Sequence, residues 1–282
     1  MARHAEVAEL AELAVRHRRT LVDVAYRTGG AYLAQALSGI DLMTAVLHGY
    51  VRSRPAEPTW PDRDRFLLSP GHYALPLYVI LSHLGYFPES LLDTFKEDGS
   101  PLELAAHRGS VPGVEVSGGS LGQVLSVGVG LALGARLQGR GHRIFVFLSD
   151  GEHDEGQIWE AAASAAHYGL GNLTAVIDKN GFQVDGPTSE VMDMEPLAQK
   201  YQAFRWMVEE VPGNDMVAVC SALDRLVAAG AARSSPTVLV GATVRGHGVS
   251  FMEGKREYHY ARLDRQRADQ ARHELTADWD AL

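Results

Sequence analysis

Arg143-Ile144-Phe145-Val146-Phe147-Leu148-Ser149-Asp150-Gly151 and the later run Leu173-Thr174-Ala175-Val176-Ile177-Asp178-Lys179-Asn180-Gly181 decide the fold. Each is a short, nearly unbroken apolar stretch that ends in polar residues and a glycine. The lack of polar alternation is the pattern of a strand buried on both faces of a parallel sheet. Between the two runs, residues 155–168 are rich in alanine and long enough for a helix. The three pieces predict a βαβ unit, with parallel strands and a right-handed crossover.

Working outward, a helix over 215–229 and a strand over 237–244 add a further unit. On the other side, Phe66-Leu67-Leu68-Ser69 reads as a strand ended by Pro70-Gly71. The helix after His72 carries Leu77, Ile80, Leu81 and Leu84 inward. Residues 5–26 place Val7, Leu10, Ala14 and Leu21 at helical spacing, and Gly29-Gly30 ends that helix. Ser38 reads as an N-cap for a helix over 41–50, before a Pro- and Arg-rich connector at 52–65. Residues 121–137 are expected as a helix buried in the core, and the charged tail after Glu253 as helical over 262–275. Alternating elements of this kind predict an α/β fold: an open, doubly wound, mostly parallel sheet with helices on both faces. Residues 96–120 are polar and rich in Gly and Pro, and a loop of that length in a compact domain usually serves a function.

The composition narrows the function classes. With 26 Lys and Arg against 35 Asp and Glu, the formal charge of −9 speaks against a nucleic-acid or anionic-membrane surface. At 46% hydrophobic residues the chain of 282 residues can bury a real core. One cysteine, Cys220, excludes an intrachain disulfide framework and fits a reducing compartment. Residues 1–20 mix acidic and basic side chains with no apolar core, so no signal peptide is expected there. No stretch predicts a membrane span, and the expected location is the cytoplasm.

In open parallel sheets ligands gather at the carboxyl ends of strands. Asp150 closes one strand and Asn180 the next, thirty residues on, so the βαβ geometry brings both side chains toward one point. A carboxylate, an amide oxygen and a nearby backbone carbonyl suit Mg²⁺ or Ca²⁺ beside a phosphate-bearing ligand. Two polar residues at strand ends are also common without any metal. Other readings of the region fail. An EF-hand loop from Asp150 needs Gly where Glu155 stands, and Gly128-x-Gly130 meets Leu133 where a dinucleotide fingerprint needs Gly. There is no phosphate-loop motif and no Cys/His spacing for zinc.

Ser149-Asp150-Gly151-Glu152 followed by Asp178-Lys179-Asn180-Gly181 resembles the thiamine diphosphate motif. Further words resemble transketolase in particular: Leu68-Ser69-Pro70-Gly71-His72, Pro112-Gly113-Val114-Glu115, Gly119-Ser120-Leu121-Gly122-Gln123, Asp154-Glu155-Gly156-Gln157-Ile158-Trp159-Glu160-Ala161 and Gly246-His247-Gly248-Val249-Ser250-Phe251-Met252-Glu253. They occur in the family's order between about residue 20 and residue 260. The resemblance is to the N-terminal subunit of a split, two-chain transketolase, and it implies thiamine diphosphate and Mg²⁺ (or Ca²⁺) as cofactors. Residues 1–282 then form one diphosphate-binding domain, with an N-terminal helical extension over about 1–28 and the charged tail over about 254–282. The implied partner is a pyrimidine-domain subunit, in an α2β2 heterotetramer. The implied reaction moves a two-carbon ketol unit from a ketose donor to an aldehyde acceptor, and this chain alone is expected to be inactive.

By the same resemblance Asp150, Asn180 and the carbonyl of Phe182 hold the metal. Gly151 and Glu152 belong to the diphosphate-binding turn, with Gly151 as a backbone donor, and Gly119 and Leu121 contact the aminopyrimidine. His72 and His259 lie around the diphosphate and the reacting centre. His107 reads a substrate hydroxyl, although Arg108 follows it where the family has Pro. Glu155 and Glu160 match a pair in a proton network between active sites; a solvated helix start is the competing reading. Three positions depart from the pattern. Tyr32 stands where the family has a histidine that contacts donor hydroxyls; a phenol still donates a hydrogen bond but is a poor base at neutral pH. Val124 and Ser149 replace glycines. The departures point to a specialised substrate. They also keep open a decarboxylating 2-oxo acid enzyme or acyloin synthase on the same cofactor, and a non-catalytic scaffold.

Overall fold

The computed structural model describes residues 5–280, so expectations for residues 1–4 and 281–282 lie outside the described residues. Helices α1 (Val7–Arg27) and α2 (Leu33–Gly49) precede strand β1 (Arg65–Leu68) and helix α3 (Ala74–His83). Helix α4 (Val124–Leu137), β2 (Ile144–Ser149), α5 (Gly156–His167) and β3 (Leu173–Lys179) follow. The chain continues through α6 (Thr188–Val191), α7 (Leu197–Ala203), β4 (Met207–Pro212), α8 (Met216–Arg233), β5 (Thr237–Ala242) and α9 (Arg265–Asp280).

The five strands form one sheet in the order β1-β2-β3-β5-β4, and every neighbouring pair is parallel. Side chains alternate across a strand, so one run serves two cores. Phe145 and Phe147 of β2 join Val176 and Leu239 beneath α1, α2, α3 and α8. Ile144, Val146 and Leu148 join Ala175, Ile177, Val238 and Val240 beneath α4 and α5. This double burial is why the strands read as unbroken apolar runs.

Two expectations need correction. Ser38 caps nothing: α2 begins at Leu33, and the Ser38 hydroxyl lies inside it, donating to the Gln35 carbonyl at 2.8 Å and to the Asp178 carboxylate at 2.6 Å. Helix α4 is buried on one side only, through Leu125, Gly128, Val129 and Ala132, while Val127, Leu131 and Leu137 remain exposed. The helix expected over 262–275 is present as α9, which sets Ala268, Ala271 and Leu275 into the core, with Arg272 pairing with Asp23 of α1 at 2.6 Å. Strand β4 was not expected from the sequence. It is an edge strand whose Glu209 and Glu210 pair with Arg225 and Lys179, and such charges keep an open edge from pairing with another chain. No described helix is long and apolar enough to cross a membrane.

Candidate active site

The carboxyl ends of β1, β2, β3 and β5 converge on a cavity of about 190 Å³, lined among others by Gln35, His72, Leu121, Gly151, Phe182, Arg245 and His259. Close backbone packing shapes its mouth. The Gly119 amide donates to the Ser69 carbonyl at 2.8 Å. A Cβ on Gly118 would lie 2.4 Å from the Leu68 carbonyl oxygen. Only glycine permits that approach, and it carries the Gly119–Leu121 turn over the end of β1.

Asp150 and Asn180 stand together as their spacing predicts. Ser149 and Asp178 are register partners at the ends of β2 and β3, and the Asp150 amide donates to the Asp178 carbonyl at 3.1 Å. The Asp150 carboxylate accepts from the Gly151 amide at 2.9 Å and the Gly181 amide at 2.6 Å. Asn180 Nδ2 donates to the Tyr73 hydroxyl at 3.1 Å and to Asp178 at 3.3 Å. That fixes the amide so that Oδ1, which accepts from the Phe182 amide at 3.0 Å, faces the other way. Asp178 is fully buried and held by Ser38, Tyr73, Asn180 and Thr243.

The charges here are unbalanced. Burial, followed by the neighbouring Asp178, pushes the Asp150 carboxyl up to about 7. Burial pushes Glu152 up to about 8, and Asp178 is raised for the same reason. Among the described residues no cluster of three or more His, Cys, Asp or Glu side chains is arranged as a metal site. The donor set at hand is instead one carboxylate, one oriented amide oxygen and the Phe182 carbonyl. All three are hard oxygens, and a divalent cation beside them would relieve the buried negative charge, so the residues fit such an ion.

Arg245 also lines the cavity and is only 2% exposed, and among the described residues no carboxylate forms an ion pair with it. Its guanidinium lies 5.4 Å from the Phe182 ring centroid, and Nη2 donates to His259 Nδ1 at 2.9 Å. Arginine has no acceptor, so that nitrogen of His259 is unprotonated and the neutral ring carries its proton on Nε2. Burial, then Arg245, lowers His259 to about 4. Burial, then His259 and Arg245, lowers His72 to about 3. Both imidazoles are therefore neutral at neutral pH. The Tyr32 ring stands edge-on to them, 5.9 Å from His72 and 5.3 Å from His259 between centroids.

Of the other candidates, Glu152 and Gly151 line the same cavity, whereas His107, Glu155 and Glu160 do not. Glu152 is wholly buried at the cavity floor, 3.4 Å from the Ser149 hydroxyl. The Gly151 amide is engaged by Asp150, and Gln183 packs over that glycine, with Nε2 on the Asp154 carboxylate at 2.5 Å. His107 is exposed, 3.7 Å from Glu103, and lines a separate hollow formed by residues 96–110. Glu155 is the N-cap residue of α5 and Glu160 lies on its exposed side; neither lines the cavity. Gln35, Tyr73, Asp178 and Arg245 were not foreseen. Asp178 and Arg245 did carry a signal, as charged residues at the carboxyl ends of apolar strands.

The model of the transketolase thiamine diphosphate binding domain matches residues 11–281. An uncharacterised transketolase family protein of Sinorhizobium fredii is 38% identical over 257 residues, 91% of each chain. One subunit of the apulose-4-phosphate transketolase of Phocaeicola vulgatus is 36% identical over 246 residues, 87% of this chain and 86% of that one. The 6-deoxy-6-sulfo-D-fructose transketolase subunit of a Clostridium species is 36% identical over 87% of this chain and 88% of its own. A solved transketolase variant from Pichia stipitis superposes with a TM-score of 0.87 at 29% identity, over 95% of this chain. The chain spans 41% of that solved protein's length. A parallel sheet with Asp150 and Asn180 at its carboxyl edge, joined to these matches, places the chain in the transketolase family, as a member of its thiamine diphosphate-binding domain.

Proposed function

We propose that this chain is the N-terminal subunit of a split, thiamine diphosphate- and Mg²⁺-dependent transketolase that moves a two-carbon ketol unit from a ketose to an aldehyde. The observation that carries the reading is the pairing of Asp150 and Asn180 at adjacent strand ends, beside a cavity that Asn180, Phe182 and the buried Arg245 line. Asp150, Asn180 Oδ1 and the Phe182 carbonyl would hold the cation. Arg245 adds a fixed positive charge for a diphosphate, which an acidic chain otherwise lacks here. Gly119 and Leu121 would meet the aminopyrimidine with backbone groups. When bound, thiamine diphosphate supplies an electron sink for breaking a bond beside a carbonyl. The chain's part is proton placement: His259 offers Nε2–H to a substrate oxygen, and neutral His72 can accept or donate beside it. Tyr32 offers a hydroxyl at the outer wall. His107 is assigned to substrate hydroxyls, and Glu155 and Glu160 to the face toward a partner.

The partner in this reading is a pyrimidine-domain subunit, in an α2β2 heterotetramer, and the single cysteine supports a cytoplasmic setting. Calorimetric titration of the chain and its partner with thiamine diphosphate and Mg²⁺, followed by a ketol-transfer assay, tests it. Saturable binding and transfer only in the mixture are expected. Full activity of the isolated chain, or no cofactor binding in the mixture, would overturn the reading.

A further inference from the structure

We infer that Lys96 is a positioning residue: it joins three remote segments and so sets the aromatic wall formed by Tyr32, Tyr260 and His259 where the donor substrate meets it. The inference rests on the ketol-transfer reading of the cavity. Lys96 opens the 96–120 loop between two buried anchors, Phe95 and Leu102, and its amide donates to the Leu102 carbonyl at 2.7 Å. Its φ is 61°, a region that a side chain with a Cβ rarely occupies. The backbone thus departs from its preferred states at the residue whose ammonium reaches inward.

The Lys96 ammonium donates to the Gly30 carbonyl at 2.9 Å and to the Tyr260 hydroxyl at 2.8 Å. These partners lie 66 and 164 residues away in the chain. The Tyr260 hydroxyl in turn donates to the Gly30 carbonyl at 3.3 Å. Just beyond, Ala31 and Ala261 exchange backbone hydrogen bonds of 3.0 and 2.8 Å. The two segments so tied carry the wall: the Tyr260 ring stands edge-on to Tyr32 at 5.3 Å, and Tyr32 stands 5.3 Å from His259. Of the three wall residues only His259 lines the cavity, backed by Tyr32 and then Tyr260; Lys96 stands outside it and acts through Tyr260 and the Gly30 turn. Both hydrogen-bond partners are neutral oxygens, and the ammonium also lies 5.5 Å from the Tyr260 ring centroid, so an arginine, which keeps donors and charge, could replace it in part.

The test uses Lys96→Met and Lys96→Arg in the full chain. In the chain alone, the ring resonances of Tyr32, Tyr260 and His259 are followed by NMR. In the complex with the partner, thiamine diphosphate and Mg²⁺, donor KM and kcat are measured beside cofactor affinity. For Lys96→Met we expect shifted wall resonances and a donor KM raised roughly tenfold, with kcat and cofactor affinity within about twofold. Lys96→Arg is expected to recover most of the KM. Unmoved resonances in Lys96→Met, or a donor KM equal to wild type, would overturn the inference. So would a loss spread equally over cofactor affinity, kcat and thermal midpoint. A wild-type complex without ketol transfer would defeat the functional reading instead, and the resonances would still decide whether Lys96 sets the wall.

Discussion

The Asp150 carboxylate accepts a hydrogen bond from the Gly181 amide at 2.6 Å, bridging the ends of two parallel strands. A buried anion thus holds the gap that a cation is proposed to fill. Asp150→Asn keeps the shape and removes the charge. The expected result is a ligand-free stability within about 1 kcal/mol of wild type, because losing a buried carboxylate is offset by setting the Asn NH2 against one of the two amides that Asp150 accepts. In the mixture with the partner subunit, with Mg²⁺ and thiamine diphosphate at about a hundred times the wild-type Kd, wild type should gain about 2.7 kcal/mol and the variant almost nothing. Calorimetric melting with and without ligand checks both statements; equal ligand-induced shifts in the two proteins would refute the assignment.

Much of this arrangement was legible in the sequence, for a physical reason. Strands buried on both faces leave unbroken apolar runs, and the polar residues that end each run mark the carboxyl edge of the sheet, where Asp150 and Asn180 stand. The rest was hidden because it depends on contacts between remote segments. Ser38 looked like a cap, since a hydroxyl beside an apolar run usually is one, yet its partner is Asp178, 140 residues away. Strand β4 was hidden by Glu209 and Glu210, which an exposed edge tolerates. Lys96, Tyr260 and Gly30 meet only in the folded chain.

Helix α2 leaves no room at Gly39. A Cβ there would lie 2.8 Å from the Tyr73 ring and 2.9 Å from Phe147, beside Asp178. Gly39→Ala should destabilise by about 1–3 kcal/mol through overpacking, and should weaken cofactor binding as Tyr73 releases Asn180. Gly134→Ala in α4 meets nothing within 4 Å and should stabilise by about 0.5–1 kcal/mol. Denaturant unfolding of both variants decides; a neutral Gly39→Ala would show that the α2 contact does not hold the site.

His17, His48 and His83 stack between α1, α2 and α3, with ring centroids 5.3 and 4.9 Å apart along the stack. His17 Nδ1 pairs with the Thr44 hydroxyl at 2.8 Å, while His17 Nε2 and His48 Nε2 are buried without a hydrogen-bond partner. Burial, then the neighbouring histidines, lowers His17 well below its usual value. Burial, then His83, lowers His48 to about 4 from 6.5, and burial lowers His83. Between those values the unfolded chain binds protons that the folded chain refuses. The cluster's contribution is therefore complete above pH 6.5 and is lost as the pH falls toward 4. Denaturant midpoints from pH 7.5 to 4.5 should fall less steeply in His48→Gln than in wild type; parallel curves would show that the stack does not titrate with folding.

The Tyr32 ring stands edge-on to His259 at 5.3 Å; we propose that it occupies the position of the donor-reading histidine that the resemblance to the family implies. A phenol can donate and accept a hydrogen bond but does not take up a proton at neutral pH, so a substrate hydroxyl that must give up its proton finds no base at this position. Tyr32→His should raise kcat/KM for xylulose 5-phosphate roughly tenfold relative to the preferred donor, with the gain mainly in KM. Steady-state kinetics on the assembled complex measures it. Wild-type protein that already turns over xylulose 5-phosphate better than other donors would contradict the claim of specialisation.

Helix α4 buries Gly128 against β2 and turns Val127 and Leu131, 41% and 37% exposed, outward. They stand four residues apart on one face, and Leu121, 37% exposed at the cavity mouth, extends the apolar surface toward the site. An apolar stripe beginning at a ligand cavity is the surface on which a second subunit could complete that cavity. Leu131→Glu should leave the isolated chain folded, its stability within about 0.5 kcal/mol of wild type, because the side chain supports no core. It should abolish assembly with the pyrimidine-domain partner in sedimentation velocity runs, and ketol transfer with it. Normal assembly of the variant would mean that the partner binds elsewhere and that this stripe has another use.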